Sequence, residues 1–103
     1  ANAFDPSVLT LISMVVQAAH KYGKDVGVCG ELAGDPLAVP ILLGLGLDEL
    51  SMNTPVVPVV KQIVRSLSYA ESQALAQEVL KMETPADVKK YVIEKLPFLQ
   101  DIG

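Results

Sequence analysis

Two short runs, at residues 26–29 and 49–52, each follow a segment of helical periodicity and each lead into another. Such alternation points to parallel strands covered by helices, because parallel neighbours need a crossover long enough to hold a helix. Val26 and Val28 are β-branched, and the first run has no polar alternation, as expected of a strand buried on both faces. Two strands alone do not make a stable sheet of this kind. The chain has 103 residues, half of them hydrophobic, and starts at Ala1 within an amphipathic pattern. A helix-rich piece of a larger α/β protein is the economical expectation, its excess apolar surface meant for neighbouring elements.

The flanking segments read as about five helices. Asp5-Pro6-Ser7 opens the first, with Val8, Leu9, Leu11, Ile12, Val15, Val16 and Ala19 expected on one inward face and Gly23 as its stop. Asp35-Pro36 has the form of an N-cap followed by proline, and opens a second helix over residues 36 to about 45. Pro40 is expected to be tolerated so early in it, at most with some distortion of the turn, and Gly46 closes it. After a turn at Asn53-Thr54-Pro55, a third helix carries Val57, Val60, Ile63, Val64 and Leu67, with Pro58 near its start. Ser68 and Glu71 have capping-box spacing for a fourth helix ending near Lys81. Thr84-Pro85 opens a fifth, with Val88 and Val92 inward and Pro97 as its limit. Residues 1–67 thus hold two strand–loop–helix units, a weak repeat in which Cys29-Gly30 and Met52-Asn53 correspond. Residues 68–103 read as a helical tail packed on the outside.

Charge and composition remove several function classes. A net charge of −4 with no basic block argues against nucleic acid and anionic membrane surfaces. The apolar run at 39–47 is too short to span a bilayer and is broken by Pro40, Gly44 and Gly46. A single cysteine forms no internal disulfide, which fits a reducing, cytoplasmic setting.

Chemistry in parallel α/β proteins collects where a strand's carboxyl end hands over to a helix. Cys29 and Glu31 stand at such a place. The run Gly27-Val28-Cys29-Gly30-Glu31-Leu32-Ala33-Gly34-Asp35 closely resembles the cysteine motif of the phosphoenolpyruvate-utilising enzymes. Residues 43–53, from Leu43-Gly44-Leu45-Gly46 to Ser51-Met52-Asn53, resemble the next segment of that family, and Pro6-Ser7-Val8-Leu9 with Ala19-His20 resemble its preceding helix. Within the family the sequence is most similar to the phosphoenolpyruvate–protein phosphotransferase branch, Enzyme I of bacterial sugar uptake. The dikinase and synthase branches share the cysteine-glycine start but usually differ at Leu32-Ala33 and around Ser51-Met52. The likeness spans nearly the whole chain and weakens after about Glu83.

The resemblance implies the C-terminal quarter of a (β/α)8 barrel and a cytoplasmic, homodimeric parent. It implies that phosphoenolpyruvate gives its phosphoryl group to an enzyme histidine outside this chain, from which it passes to a phosphocarrier protein. A cysteine matching Cys29 then protonates enolpyruvate to pyruvate. Mg2+ is implied in the parent, with its ligands, and the phosphate-clamping arginines, on earlier strands. The only arginine, Arg65, matches no such position. The fragment alone is therefore expected to be inert, and its open edges to favour association or swapping.

Each residue also has an ordinary reading. Without the resemblance, a lone cysteine is first a small apolar core residue. With it, Cys29 is the proton donor, a thiol with pKa ~8.5 in model peptides being able to hold and release a proton. Gly30 is either a turn glycine or a close-approach point with an N–H for an anion. Glu31 either satisfies loop backbone or keeps the neighbouring thiol protonated. Ser51, Met52 and Asn53 line the second strand end under the resemblance. Asp35 is expected to be an N-cap alone. His20, beside Lys21 at a helix end, is expected to be a surface residue that interacts with the helix dipole, not the phosphoacceptor. A non-catalytic helical interaction module is the alternative from another class.

Overall fold

The computed structural model describes residues 2–28, 35–51 and 57–101. In chain order it contains α1 (Pro6–Lys21), β1 (Gly27–Val28), a 3-10 turn (Pro36–Ala38) running into α2 (Val39–Gly44), β2 (Glu49–Leu50), α3 (Val57–Arg65), α4 (Tyr69–Val79), α5 (Pro85–Lys95) and a closing 3-10 turn (Pro97–Asp101). The strands pair in parallel, Gly27 opposite Glu49 and Val28 opposite Leu50. The chain is a helix-rich α/β unit, as the alternation of segments requires.

Local chemistry sets most boundaries. Asp5 accepts the Ser7 N–H at 2.9 Å ahead of Pro6, and Gly23 closes the end of α1 at φ +70°. Ser68 and Glu71 form the reciprocal capping box, at 3.1 and 3.0 Å. Thr84 accepts the Asp87 N–H at 3.1 Å before α5. The expected single helix over residues 36–45 is instead two pieces. Pro40 has no N–H to return to the Pro36 carbonyl. The Val39 N–H takes that carbonyl, so the segment opens as a 3-10 turn before α2 begins. α4 ends at Val79, short of Lys81. β1 starts at Gly27 rather than Val26 and β2 stops before Ser51, while Cys29, Met52 and the Asn53 turn lie outside the described residues.

The expected inward face of α1 needs correction. Leu9, Ser13 and Val16 are buried, but Leu11 is 61% exposed and Val15 50%. The apolar arc of this helix is wider than the strip the rest of the chain covers, so α1 packs by one edge of it. The same holds at α3, where Val60 and Ile63 are buried and Val64 is open.

One core cluster takes in residues of α1, α2 and the later helices. Leu9, Val39, Ile41, Leu42, Ile63, Val79, Val88, Val92 and Leu99 are fully buried. The helices after Leu67 are not a superficial layer. α4 lies directly on α2 with Leu75, Ala76 and Val79 inward, and α5 closes over α4 and the first 3-10 turn. Gly44 makes the α2–α4 approach possible. A Cβ there would stand 1.9 Å from the Ser72 carbonyl oxygen and 2.9 Å from the Ala76 Cβ.

Candidate functional site

The ladder between β1 and β2 brings their carboxyl ends together. The Ser51 N–H donates to the Val28 carbonyl at 3.0 Å, so exposed Ser51 lies beside the residue from which the chain continues into Cys29. Of the candidate residues, the described structure thus places Ser51 at the junction the sequence pointed to. Cys29, Gly30, Glu31 and Asn53 lie outside the described residues.

Beyond residues 29–34 the chain is fixed again at Asp35, which caps as expected. Its Oδ1 accepts the Leu37 N–H at 3.0 Å, while Oδ2 lies 3.8 Å from Lys89 Nζ on α5. Lys89 also lies over the Phe4 ring, 5.7 Å from its centroid. The N-terminal turn, the segment after the cysteine run and α5 therefore meet at one point. Nothing in the sequence marks Lys89 for this, since the pairing depends on where α5 packs.

The opposite end of the strand pair carries a second polar cluster. His20, in the last turn of α1, donates from Nε2 to Asp48 Oδ2 at 2.7 Å. An ionised carboxylate only accepts, so the proton resides on Nε2. The Val26 N–H donates to the same oxygen at 2.8 Å, and the Asp48 N–H returns to the Val26 carbonyl at 2.8 Å. One carboxylate thereby ties the end of α1 to the starts of both strands. His20 is a surface residue at a helix end, as expected, but its partner is Asp48, invisible as such from sequence.

The imidazole hydrogen bond first, and the Val26 N–H second, hold the Asp48 carboxyl below its ordinary value of 3.8. Between the folded and unfolded values the unfolded chain binds the proton more readily. The contribution of this group is therefore present above pH about 4 and is lost as pH falls through the depressed folded value. Asp48→Asn should be less stable than the parent chain at neutral pH, with the gap closing on acidification. Urea melts followed by circular dichroism between pH 2 and 7 check this, and a gap that is constant with pH would contradict it.

Among the described residues, no group of three or more His, Cys, Asp and Glu side chains is arranged to hold a metal ion. No helix among them is long and apolar enough to cross a membrane.

Residues 1–69 match the family model described as PEP-utilising enzyme, PEP-binding domain. The chain is 49% identical over 92 residues to the phosphoenolpyruvate-protein phosphotransferase of Bacillus subtilis (strain 168), covering 88% of this chain and 16% of that protein. It is 46% identical over 87 residues to the protein of the same name from Buchnera aphidicola subsp. Schizaphis graminum, covering 84% and 15%. For the Haemophilus influenzae protein of that name the identity is 43% over 95 residues, covering 92% and 16%. The chain spans about a sixth of the length of these curated relatives.

Proposed function

The chain belongs to the PEP-utilising enzymes, PEP-binding domain family, and on that footing we propose that it is part of a phosphoenolpyruvate–protein phosphotransferase. The observation that carries this is 43–49% identity to proteins of that name along 84–92% of the chain. In the parent protein, phosphoenolpyruvate gives its phosphoryl group to a histidine outside this chain, and a phosphocarrier protein receives it for sugar uptake. The enolpyruvate left behind takes a proton at its methylene carbon from the Cys29 thiol, and the resulting thiolate is reprotonated from water. Gly30, Glu31, Ser51 and Asn53 support that end of the site. The adjacency of Ser51 to Val28 favours this assignment, since it puts both strand ends within one small area.

Residues 1–67 are the last strand–helix units of a (β/α)8 barrel and residues 68–103 its closing helices. The end of the family match at residue 69 favours that division. The parent is a cytoplasmic homodimer. Mg2+ would neutralise phosphate charge there, but the described residues offer it no ligand set and no step is assigned to it in this chain.

Incubating the full-length protein with labelled phosphoenolpyruvate and a phosphocarrier protein tests the reading. Label should reach a histidine and then the carrier without nucleotide. Labelling that requires ATP would move the protein to the dikinase or synthase branch, and no labelling at all would end the proposal.

The separate chain should bind phosphoenolpyruvate poorly. It carries a net charge of −4 against an anionic substrate, and its one arginine lies in the last turn of α3. Calorimetric titration with Mg2+ present should show no saturable heat at micromolar substrate. Tight binding would mean that this piece holds the phosphate site itself.

A further inference from the structure

A cavity of about 490 Å³ opens between the end of α1, the turn after α2, the end of α3 and the start of α4. It lies at the amino ends of β1 and β2, where Asp48 joins them, away from the Val28–Ser51 junction. Its size falls within the range of small-molecule sites, and its make-up matches theirs, with apolar walls and a few convergent polar groups. Leu43, Leu47, Val64 and Leu67 line it beside the His20–Asp48 pair.

Charge decides what such a cavity takes. Among the described residues, no lysine or arginine lines it, and Asp48 is the only carboxylate that does. Asp48 Oδ2 is occupied by His20 and Val26, while no hydrogen bond within the described residues uses Oδ1. A carboxylate keeps acceptor capacity on both oxygens, so a group with several N–H donors finds an unused acceptor beside apolar walls. An anionic ligand would meet repulsion at the same point. We propose that this cavity binds a small primary amine with an aromatic or branched apolar body, its ammonium on Asp48 and its body among Leu43, Leu47, Val64 and Leu67. The site is separate from the cysteine end.

His20 is the only histidine among these 103 residues, so in the separate chain its ring protons report the cavity by NMR without ambiguity. Titration with 2-phenylethylamine should shift them saturably, and phenylacetate, similar in size and opposite in charge, should not. Asp48→Asn should weaken amine binding roughly tenfold or more, the equivalent of one charge-assisted hydrogen bond. Should that variant fail to fold, Val64→Trp, at an exposed wall position, fills the cavity without touching Asp48 and should abolish the shift with an unchanged thermal melt. Equal shifts from amine and carboxylate, or none at millimolar amine, would overturn the proposal. Undiminished binding to either variant would do so as well.

Discussion

Replacing Cys29 by alanine in the full-length protein is expected to slow pyruvate formation from phosphoenolpyruvate by roughly 10²–10⁴-fold, the usual contribution of a positioned general acid. The reason is chemical and specific to one half of the reaction. Phosphoryl transfer leaves an enolate, whose carbon needs a proton from a group that holds one at neutral pH. A thiol does so, and alanine has nothing to give. The cleanest readout is the reverse step, exchange of pyruvate methyl protons with deuterated water, which isolates proton transfer from phosphoryl transfer. The alanine variant should lose this exchange while labelling of the enzyme histidine in a single turnover falls much less. Cys29→Ser should behave nearly as badly, since a hydroxyl is a far weaker acid than a thiol. Full exchange by Cys29→Ala would remove the assignment even with the family membership intact.

The largest stability effect should come from Gly44→Ala. Glycine to alanine inside a helix ordinarily gains ~1 kcal/mol from propensity. Here the added Cβ would lie 1.9 Å from the Ser72 carbonyl oxygen and 2.5 Å from its carbonyl carbon. Both are backbone atoms, so no side chain can swing away, and α2 and α4 must separate. Overpacking of a tight core costs about 1–3 kcal/mol and occasionally more, and separation of two helices that share the core belongs at the top of that range. A loss of about 3 kcal/mol is a large fraction of the 5–15 kcal/mol typical of a domain. Urea unfolding should show a lower midpoint, and an unchanged or raised midpoint would mean that the helices do not approach as described. Gly46 has a different constraint, a φ of +95° that favours glycine whatever the space.

Boundaries and caps were legible because they depend on neighbours in sequence. Asp5, Asp35, Ser68 with Glu71, and Thr84 all cap where their spacing puts them. Burial was less legible. On α1 the apolar residues outnumber the positions that this chain covers, and periodicity gives the apolar arc without saying which part of it meets a neighbour. At the site, the parallel pairing that sets Ser51 beside Val28 followed from the alternation of segments, and Cys29 stood out by its place after the first strand run, whereas its role as proton donor came only from the motif resemblance.

Read alone, the residues specify a parallel α/β piece with capped helices and a single thiol that follows the first strand run in sequence, since each of these follows from short-range chemistry. Folding adds the links between distant residues. Asp48 finds His20 and Val26, Lys89 finds Asp35 and Phe4, and Gly44 admits Ser72, because each depends on how whole helices pack. Periodicity describes the faces of single elements. Which faces meet, and at what register, is settled by the fit of backbones and side chains across them.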